Sequence, residues 1–418
     1  MKQRNTIFAV VLTLATLLLA ACGSSSSSGG GGSPSGNVTF WYTEGKTEEP
    51  AILKIVSDFN AANPKIKVTA QYVDFNSAHD KFATAAKAGS GAPDVIRTDI
   101  AWTSEFAKNG YLLDLTNKIT GGTSDFLPAP LAYNQYNGKL YGVPEVTDFL
   151  VLYYNKALVP TPPTTLDQLR TMAKSLTDKA KGQYGFATEG GSYFVTPWLF
   201  ADGGGLVSDD GKTIFVNSAG SVSGFQRLLD LNKDGSLQPI DFKNGYTNSN
   251  EGFKSGKVAM LFNGPWQASD LVTGSAFAGA NAANFGVAAI PTGTAGDVPR
   301  SPTGGQNYSV YAGSSAPEAA VAFLNYLDSA QSQIAVATAN GTLPARQSAY
   351  ADPGVIANKT IAAFKPLLTS AKSRPVNPNA GSIFTAFDAD IQNALTGKDT
   401  SQGALDKVAK DWAPLFNS

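Results

Sequence analysis

Apolar and polar positions follow a strand–helix–strand pattern over the first stretch of ordinary sequence, residues 37–72. The apolar run Asn37–Tyr42 predicts a buried strand. The next segment places four apolar residues at the spacing of one helix face: Ile52, Ile55, Val56 and Phe59. Pro64 ends this helix, and apolar residues alternate over 66–72 as in a second strand. The pattern therefore predicts a β-α-β unit.

The same alternation of strand and helix patterns continues to the C-terminus. A helix is predicted over Asn76–Ala88, closed by Gly89, and residues 93–96 lead into a short strand. Phe149–Tyr154 predicts one buried strand, and a helix follows over 166–176. Later patterns predict strands at 258–262 and 284–290, a helix from residue 317 and a helical tail over 383–416. This order favours an α/β fold over a β-sandwich.

The N-terminal 21 residues have the pattern of a secretion signal. Lys2 and Arg4 precede an apolar run over 7–21, which is shorter than the about 20 residues that a membrane span needs but typical of a signal peptide. The run ends in Leu19-Ala20-Ala21-Cys22-Gly23, a string that resembles the bacterial lipobox, in which the cysteine is acylated and the chain is cut before it. We expect residues 1–21 to be removed and Cys22 to carry lipid; the alternative is an ordinary signal with an incidental cysteine.

Residues 22–36 form the expected lipidated cysteine and its tether. Gly23 to Gly36 contain only Gly, Ser and one Pro, so the segment cannot bury apolar surface and is expected to behave as a flexible coil spanning roughly 20 Å. We therefore expect the protein on the extracellular face of the cytoplasmic membrane, anchored through Cys22.

Charge and composition exclude several classes of function. The 418 residues contain 32 Lys+Arg and 33 Asp+Glu, and such a balance gives no reason to expect nucleic-acid binding. The single Cys excludes an intramolecular disulfide, and with a single His the chain has too few ligands for a Cys/His zinc site. We expect neither a metal nor a cofactor.

Candidate catalytic residues are few. A Ser-His-Asp triad would have to use His79, which lies in a predicted helix and is interpreted as a solvated residue, and no G-x-S-x-G motif occurs. A glycoside hydrolase needs only two carboxylates, so a lipid-anchored hydrolase stays an alternative. Its candidate residues are Glu44, Asp94, Asp99, Asp148 and Glu189.

Aromatic residues beside Gly, Pro, Asp or Asn suggest a sugar site. Sugar rings have an apolar face and a rim of hydroxyls, and a sugar site combines flat aromatic rings with carboxylates and amides. Candidates for the aromatic part are Trp41, Tyr42, Trp102, Tyr193, Phe194, Trp198 and Trp266. Trp266 follows an Asn-Gly-Pro turn at a strand end, which is the least core-like position of the set. Core packing is the competing interpretation for each ring alone.

Five motifs together give the chain a close resemblance to the solute-binding proteins of sugar ABC importers, of the maltose/maltodextrin-binding type. They are Ala92-Pro93-Asp94-Val95-Ile96, residues 136–144 (YNGKLYGVP), Leu152-Tyr153-Tyr154-Asn155-Lys156, Tyr193-Phe194 followed by Ala201-Asp202-Gly203-Gly204, and Phe262-Asn263-Gly264-Pro265-Trp266. The likeness runs from about Val38 to Trp412.

The resemblance implies a two-lobed α/β periplasmic-binding-protein fold, with a hinge of crossing segments and a ligand cleft between the lobes. It places the first lobe at 37–146 and 299–349 and the second lobe at 147–298 and 350–418. It also implies a monomer that is not an enzyme, which captures maltose or maltooligosaccharides and delivers them to the transmembrane subunits of an ABC permease.

Carried over position by position, the resemblance also implies a set of carbohydrate-binding residues. On the first lobe these are Thr43, Glu44, Lys46, Asp99, Trp102, Gly305 and Gln306. Towards the second lobe they are Asp148, Glu189, Tyr193, Phe194, Trp266 and Phe384.

This sequence departs from the family pattern at three of these places. Asp148 is shorter than the usual Glu, the stretch 97–102 has its aromatic and acidic residues in a different register, and Phe384 or Phe387 stands where a late tryptophan is expected. The departures leave the sugar open, so trehalose or another di- or oligosaccharide is an alternative ligand.

Overall fold

The structure, a computed structural model of the chain, describes residues 33–208, 213–372, 374 and 377–416, with only the backbone given for 380–382. Cys22, the predicted signal peptide and the start of the tether lie outside the described residues. Within the described part, no helix is long and apolar enough to cross a membrane.

Thirteen strands are present in the described chain. They are β1 (Gly36–Tyr42), β2 (Ile66–Tyr72), β3 (Val95–Asp99), β4 (Gln135–Tyr136), β5 (Lys139–Leu140), β6 (Val143–Phe149), β7 (Val151–Asn155), β8 (Tyr184–Ala187), β9 (Val258–Asn263), β10 (Phe285–Ala288), β11 (Ser301–Val310), β12 (Leu343–Pro344) and β13 (Ala371–Lys372).

Helices follow most strands. They are α1 (Glu49–Ala62), α2 (Phe75–Ala88), α3 (Thr103–Lys108), α4 (Pro128–Ala132), α5 (Leu166–Ser175), α6 (Ser192–Ala201), α7 (Ala219–Asp234), α8 (Gly245–Lys254), α9 (Ala268–Leu271), α10 (Pro317–Leu327), α11 (Ala330–Asn340), α12 (Pro353–Ala357), α13 (Lys359–Phe364), α14 (Ala380–Leu395) and α15 (Ser401–Phe416). The predicted β-α-β unit is confirmed: β1 and β2 pair in parallel, and α1 buries the four predicted apolar residues. Gly89 closes α2 in the left-handed conformation at φ 68°, which glycine adopts without steric cost.

Two main sheets organise the molecule, as the predicted α/β fold class requires. The first has the strand order β12-β6-β11-β3-β1-β2, with β13 paired to β11. The second has the order β10-β7-β9-β8. One hydrophobic core packs α1 and α10 against the first sheet, and another packs α5, α6, α7, α14 and α15 against the second.

The chain passes from the first sheet to the second at Leu150. The prediction of one continuous strand over Phe149–Tyr154 is wrong here, because β6 ends at Phe149 and β7 begins at Val151 in the other sheet. Apolar side chains continue through the break because residues on both sides are buried. The Leu150 N–H donates a hydrogen bond to Ser301 Oγ at 2.7 Å, so the chain is held at this point by the residue that begins β11. The lobe boundaries themselves stay predictions.

Candidate functional site

Polar residues gather where several strands of the first sheet end. Thr43 and Glu44 follow β1, Asp99 is the last residue of β3, and β11 runs between β3 and β6. In the strand register Gly304 lies opposite Asp148, and Gln306 lies opposite Asp99. Strand ends of this kind are where open α/β sheets bind ligands, and they bring most of the first-lobe residues of the predicted site together.

Arg97 joins three of the predicted site residues. Its Nη1 donates to Thr43 Oγ1 at 3.0 Å, and its Nη2 donates to Gln306 Oε1 at 3.3 Å. Its Nε lies 2.6 Å from Glu145 Oε2 and 3.1 Å from Glu44 Oε1. Since Arg97 is buried, this network fixes the geometry of the loop after β1 relative to β11.

Burial sets the protonation of the carboxyl groups around Arg97. It raises the pKa of Glu44 to about 8; the positive charge of Arg97 opposes the rise, and the negative charge of Glu145 adds to it. Burial likewise raises the pKa of Glu48 to about 7. The pKa of Arg97 is raised, because the attraction of Glu145 and Glu44 outweighs the cost of burying its charge. The cluster therefore holds its arginine charged while one or more carboxyl groups titrate near neutral pH.

Asp148 lies in β6 of the first sheet, although it was predicted together with Tyr193 towards the second lobe, and it contacts Tyr193, which packs against the core of the second sheet. The Tyr193 hydroxyl, on α6, lies 3.2 Å from Asp148 Oδ1 and 3.2 Å from the Pro302 carbonyl, and can donate to either. A Cβ atom at Gly304 would come within 1.8 Å of Asp148 Oδ1, so only glycine leaves room for this carboxylate. Burial raises the pKa of Asp148 to about 7, with the charge of Asp99 adding to the rise.

Arg374 pairs with Asp99. Its Nη2 donates to Asp99 Oδ1 at 3.0 Å, and its Nε donates to the Thr303 carbonyl at 2.7 Å. The guanidinium carbon also lies 5.2 Å from the centre of the Tyr193 ring and 5.6 Å from that of Phe384, within the range of cation–π attraction.

The aromatic residues of the second sheet form a connected group. The Tyr193 ring centre lies 6.3 Å from that of Trp266 and 5.7 Å from that of Phe194. Trp266 Nε1 donates to the Tyr246 hydroxyl at 2.7 Å, and this hydroxyl donates to Gln267 Oε1 at 2.8 Å. Trp266 is half-buried, so its orientation is fixed while part of the indole stays open.

Other predicted residues have weaker links to this group. Lys46 is exposed, and Glu189 Oε2 accepts a hydrogen bond from the Gly191 N–H at 2.7 Å. Gly305 has φ 139°, and its carbonyl accepts from the Ile100 N–H at 3.1 Å. Trp102 stacks on Phe75 with ring centres 5.2 Å apart.

Three aromatic side chains have structural roles. Trp198 and Phe387 are almost completely buried in the core of the second sheet. The interpretation of His79 as a solvated residue is wrong: its side chain is 19% exposed, because its ring stacks on Phe106 at 5.1 Å and contacts Trp102.

Sequence reasoning missed Arg97, Arg374 and Tyr246. Arg97 carries a usable signal, because a charged residue inside a short apolar strand needs buried partners. Arg374 has no comparable signal, since its partner Asp99 lies 275 positions away. Tyr246 lies at the start of a polar helix, where a surface tyrosine would look the same.

Comparison with known proteins identifies the class. The family of bacterial extracellular solute-binding proteins matches residues 45–334, and the chain belongs to this family.

Two solved structures of related proteins share the two-lobed fold, and a further relative is similar in sequence. The GacH receptor of Streptomyces glaucescens, solved unliganded and in complex with acarbose and an acarbose homologue, is 36% identical with a TM-score of 0.86, over 92% of this chain and 99% of that chain. The maltose/maltodextrin-binding domain MalE from Bdellovibrio bacteriovorus, bound to maltotriose, is 25% identical with a TM-score of 0.81, over 92% of this chain and 100% of that one. A maltooligosaccharide ABC transporter solute-binding lipoprotein of Streptococcus pneumoniae is 27% identical over 82% of this chain and 81% of its own length.

Proposed function

We propose that this protein is the substrate-binding component of an ABC importer, which captures maltose and maltooligosaccharides and delivers them to a membrane permease. The observation that carries the proposal is the meeting of buried acceptors with aromatic rings: Asp148 contacts Tyr193, and Tyr193 lies beside Trp266. A sugar ring needs both kinds of group at once, because its hydroxyls donate to carboxylates and its apolar face stacks on a ring.

The ligands named for the similar proteins support this choice. Maltotriose, maltooligosaccharides and acarbose are carbohydrates or carbohydrate mimics. All three proteins are at least a quarter identical to this chain, and the two with solved structures match it over 92% of its length. Ligand would drive closure of the two lobes by binding the closed form more tightly than the open form.

A thermal-shift and calorimetry panel tests the proposed ligand. We expect maltose, maltotriose or a longer glucan to raise the melting temperature of the protein, because a ligand that binds only the folded state stabilises it by mass action. Trehalose, cellobiose and a cyclodextrin serve as competing ligands of different linkage and shape. A response to trehalose or cellobiose alone would replace maltooligosaccharides by another sugar, and no response to any sugar would contradict the proposal.

We further propose that the protein binds its ligand without hydrolysing it. The carboxylates of the site are engaged in fixed contacts: Asp99 with Arg374, Asp148 with Tyr193, and Glu44 with Arg97. Incubation with maltotriose is expected to leave the sugar intact. Steady release of glucose over hours would favour the hydrolase instead.

We propose that Cys22 anchors the protein, as a monomer, to the outer face of the cytoplasmic membrane. The lipobox-like sequence supports this, as does the S. pneumoniae relative whose name includes the word lipoprotein. In a bacterial host, Cys22→Ser is expected to lose acylation and the cut before residue 22, whereas Ser24→Ala in the same tether is acylated and cut as the wild type is. Mass spectrometry of membrane-bound wild-type protein should find the acyl groups on Cys22; an unmodified Cys22 in membrane-bound protein cut after Ala21 would contradict the anchor.

A further inference from the structure

The side chain of Arg374 contacts both the first sheet and the helices that pack on the second sheet. On one side it hydrogen-bonds to Asp99 at the end of β3 and to the Thr303 carbonyl in β11, both in the first sheet. On the other side its guanidinium lies over the rings of Tyr193 and Phe384. These two rings belong to α6 and α14 and pack against the core of the second sheet.

The backbone at Arg374 itself is held as well. The buried Tyr133 donates from its hydroxyl to the Arg374 carbonyl at 3.0 Å. Just before it along the chain, β13 pairs in parallel with the first two residues of β11. The arginine therefore starts from the first sheet and reaches to the rings of the second.

An arriving ligand would gain little by displacing this side chain. The side chains of Arg374 and Asp99 are 7% and 12% exposed, and separating a buried ion pair leaves each charge without a partner at a large cost. The attraction of Asp99 and Tyr193 also raises the pKa of Arg374, despite the cost of burial. The arginine thus stays charged and in place when sugar binds.

Its position decides which rings remain open to a sugar. The guanidinium covers one face of Tyr193 and one face of Phe384. In the described part of the chain, no Lys or Arg side chain lies over the ring of Trp266. A sugar ring that enters the site can therefore stack on Trp266, whereas Phe384 is capped.

We propose that Arg374 is a specificity-determining residue, which covers the Phe384 ring and thereby limits the length of glucan that can stack on the aromatic residues of the site. The proposal rests on the proposed function, and it replaces Phe384 by Arg374 as the functional side chain at this place in the site.

Chain-length preference in calorimetry tests the role of Arg374. R374A exposes the Phe384 ring as an additional stacking surface, so the affinity for maltotetraose relative to maltose should rise by about fivefold or more. R374K keeps a cation and a long stem over the ring and should return the ratio close to the wild-type value. K372A is the matched control: Lys372 lies over Phe200 at 5.6 Å, in the same segment but outside the site, and its removal should leave the ratio unchanged.

A second variant keeps the proposal testable if R374A folds poorly. F384A should change affinity for either glucan by less than about twofold, since the capped ring contributes no stacking energy. A loss in F384A as large as in a Trp266 variant would overturn the proposal, as would an unchanged length ratio in a folded R374A. If the wild-type protein binds no glucan at all, the proposed function itself fails. If the wild type binds glucans and the length ratio of folded R374A is unchanged, only the role of Arg374 fails, so the two failures are distinguishable.

Discussion

Replacing Trp266 by alanine is expected to weaken maltooligosaccharide binding by about 5- to 150-fold. The half-buried indole is held by its hydrogen bond to Tyr246 and lies beside Tyr193, where it offers a fixed flat surface. Stacking of a flat ring on an aromatic side chain is worth about 1–3 kcal/mol by alanine substitution, which corresponds to that loss of affinity. Isothermal titration with maltotriose measures it directly.

The conservative variant Trp266→Phe separates stacking from orientation. It keeps a ring but loses the Nε1–H that donates to Tyr246, so its affinity should fall between those of the wild type and the alanine variant. Phe215→Ala is the matched control, because this aromatic ring is 44% exposed and lies outside the site. An unchanged affinity in Trp266→Ala, with a lowered melting temperature, would make Trp266 a core residue.

Asp148→Asn is expected to weaken binding at pH 8 and to remove part of its pH dependence. Burial raises the pKa of Asp148 to about 7 from the ordinary 3.8, and sugar hydroxyls donate best to the ionised carboxylate. Ligand therefore favours the ionised form, and wild-type affinity should fall by up to roughly tenfold per pH unit below 7. A hydrogen bond to a charged group contributes about 1.5–3 kcal/mol, which bounds the loss in the variant at pH 8.

The same substitution should have the opposite effect on the stability of the ligand-free protein. A folded-state pKa above the unfolded value penalises the ionised form, so the free energy of unfolding decreases as pH rises from about 4 to about 7, by at most about 1.4 kcal/mol per unit. Asparagine lacks this charge. The variant should therefore melt above the wild type at pH 8 and close to it at pH 4.

Both Asp148 measurements are read as differences between variant and wild type. Glu44 and Glu48 also have raised pKa values, about 8 and about 7, and they titrate in the same range in both proteins. Equal slopes of affinity against pH in the two proteins would show that Asp148 does not face the ligand. A variant that melts below the wild type at pH 8 would assign the carboxylate a structural role.

Local patterns predicted most of the fold because they depend on near neighbours. The apolar face of α1 and the alternating burial in β2 follow from the period of a single element, and the end of α2 follows from one residue, Gly89. The change of sheet at Leu150 was not predicted because burial is continuous across it. A strand buried in one sheet followed directly by a strand buried in the other gives the same apolar run as a single strand.

The grouping of side chains in the candidate site was predictable where a motif carries it, as for Asp148, Tyr193 and Trp266, which the structure brings together; their part in sugar binding stays a prediction. It was not predictable where the function of a residue depends on distant partners. Arg97 reaches Gln306 across 209 positions, and Arg374 reaches Asp99 across 275. Neither pairing produces a periodic pattern in the sequence, because each depends on the order of strands in the sheet rather than on spacing along the chain.

The one-residue passage at Leu150, held to Ser301, also puts a carboxylate of the candidate site beside the junction of the two sheets. Asp148 lies two residues from Leu150, so a rotation of one sheet against the other about this junction would displace Asp148 little.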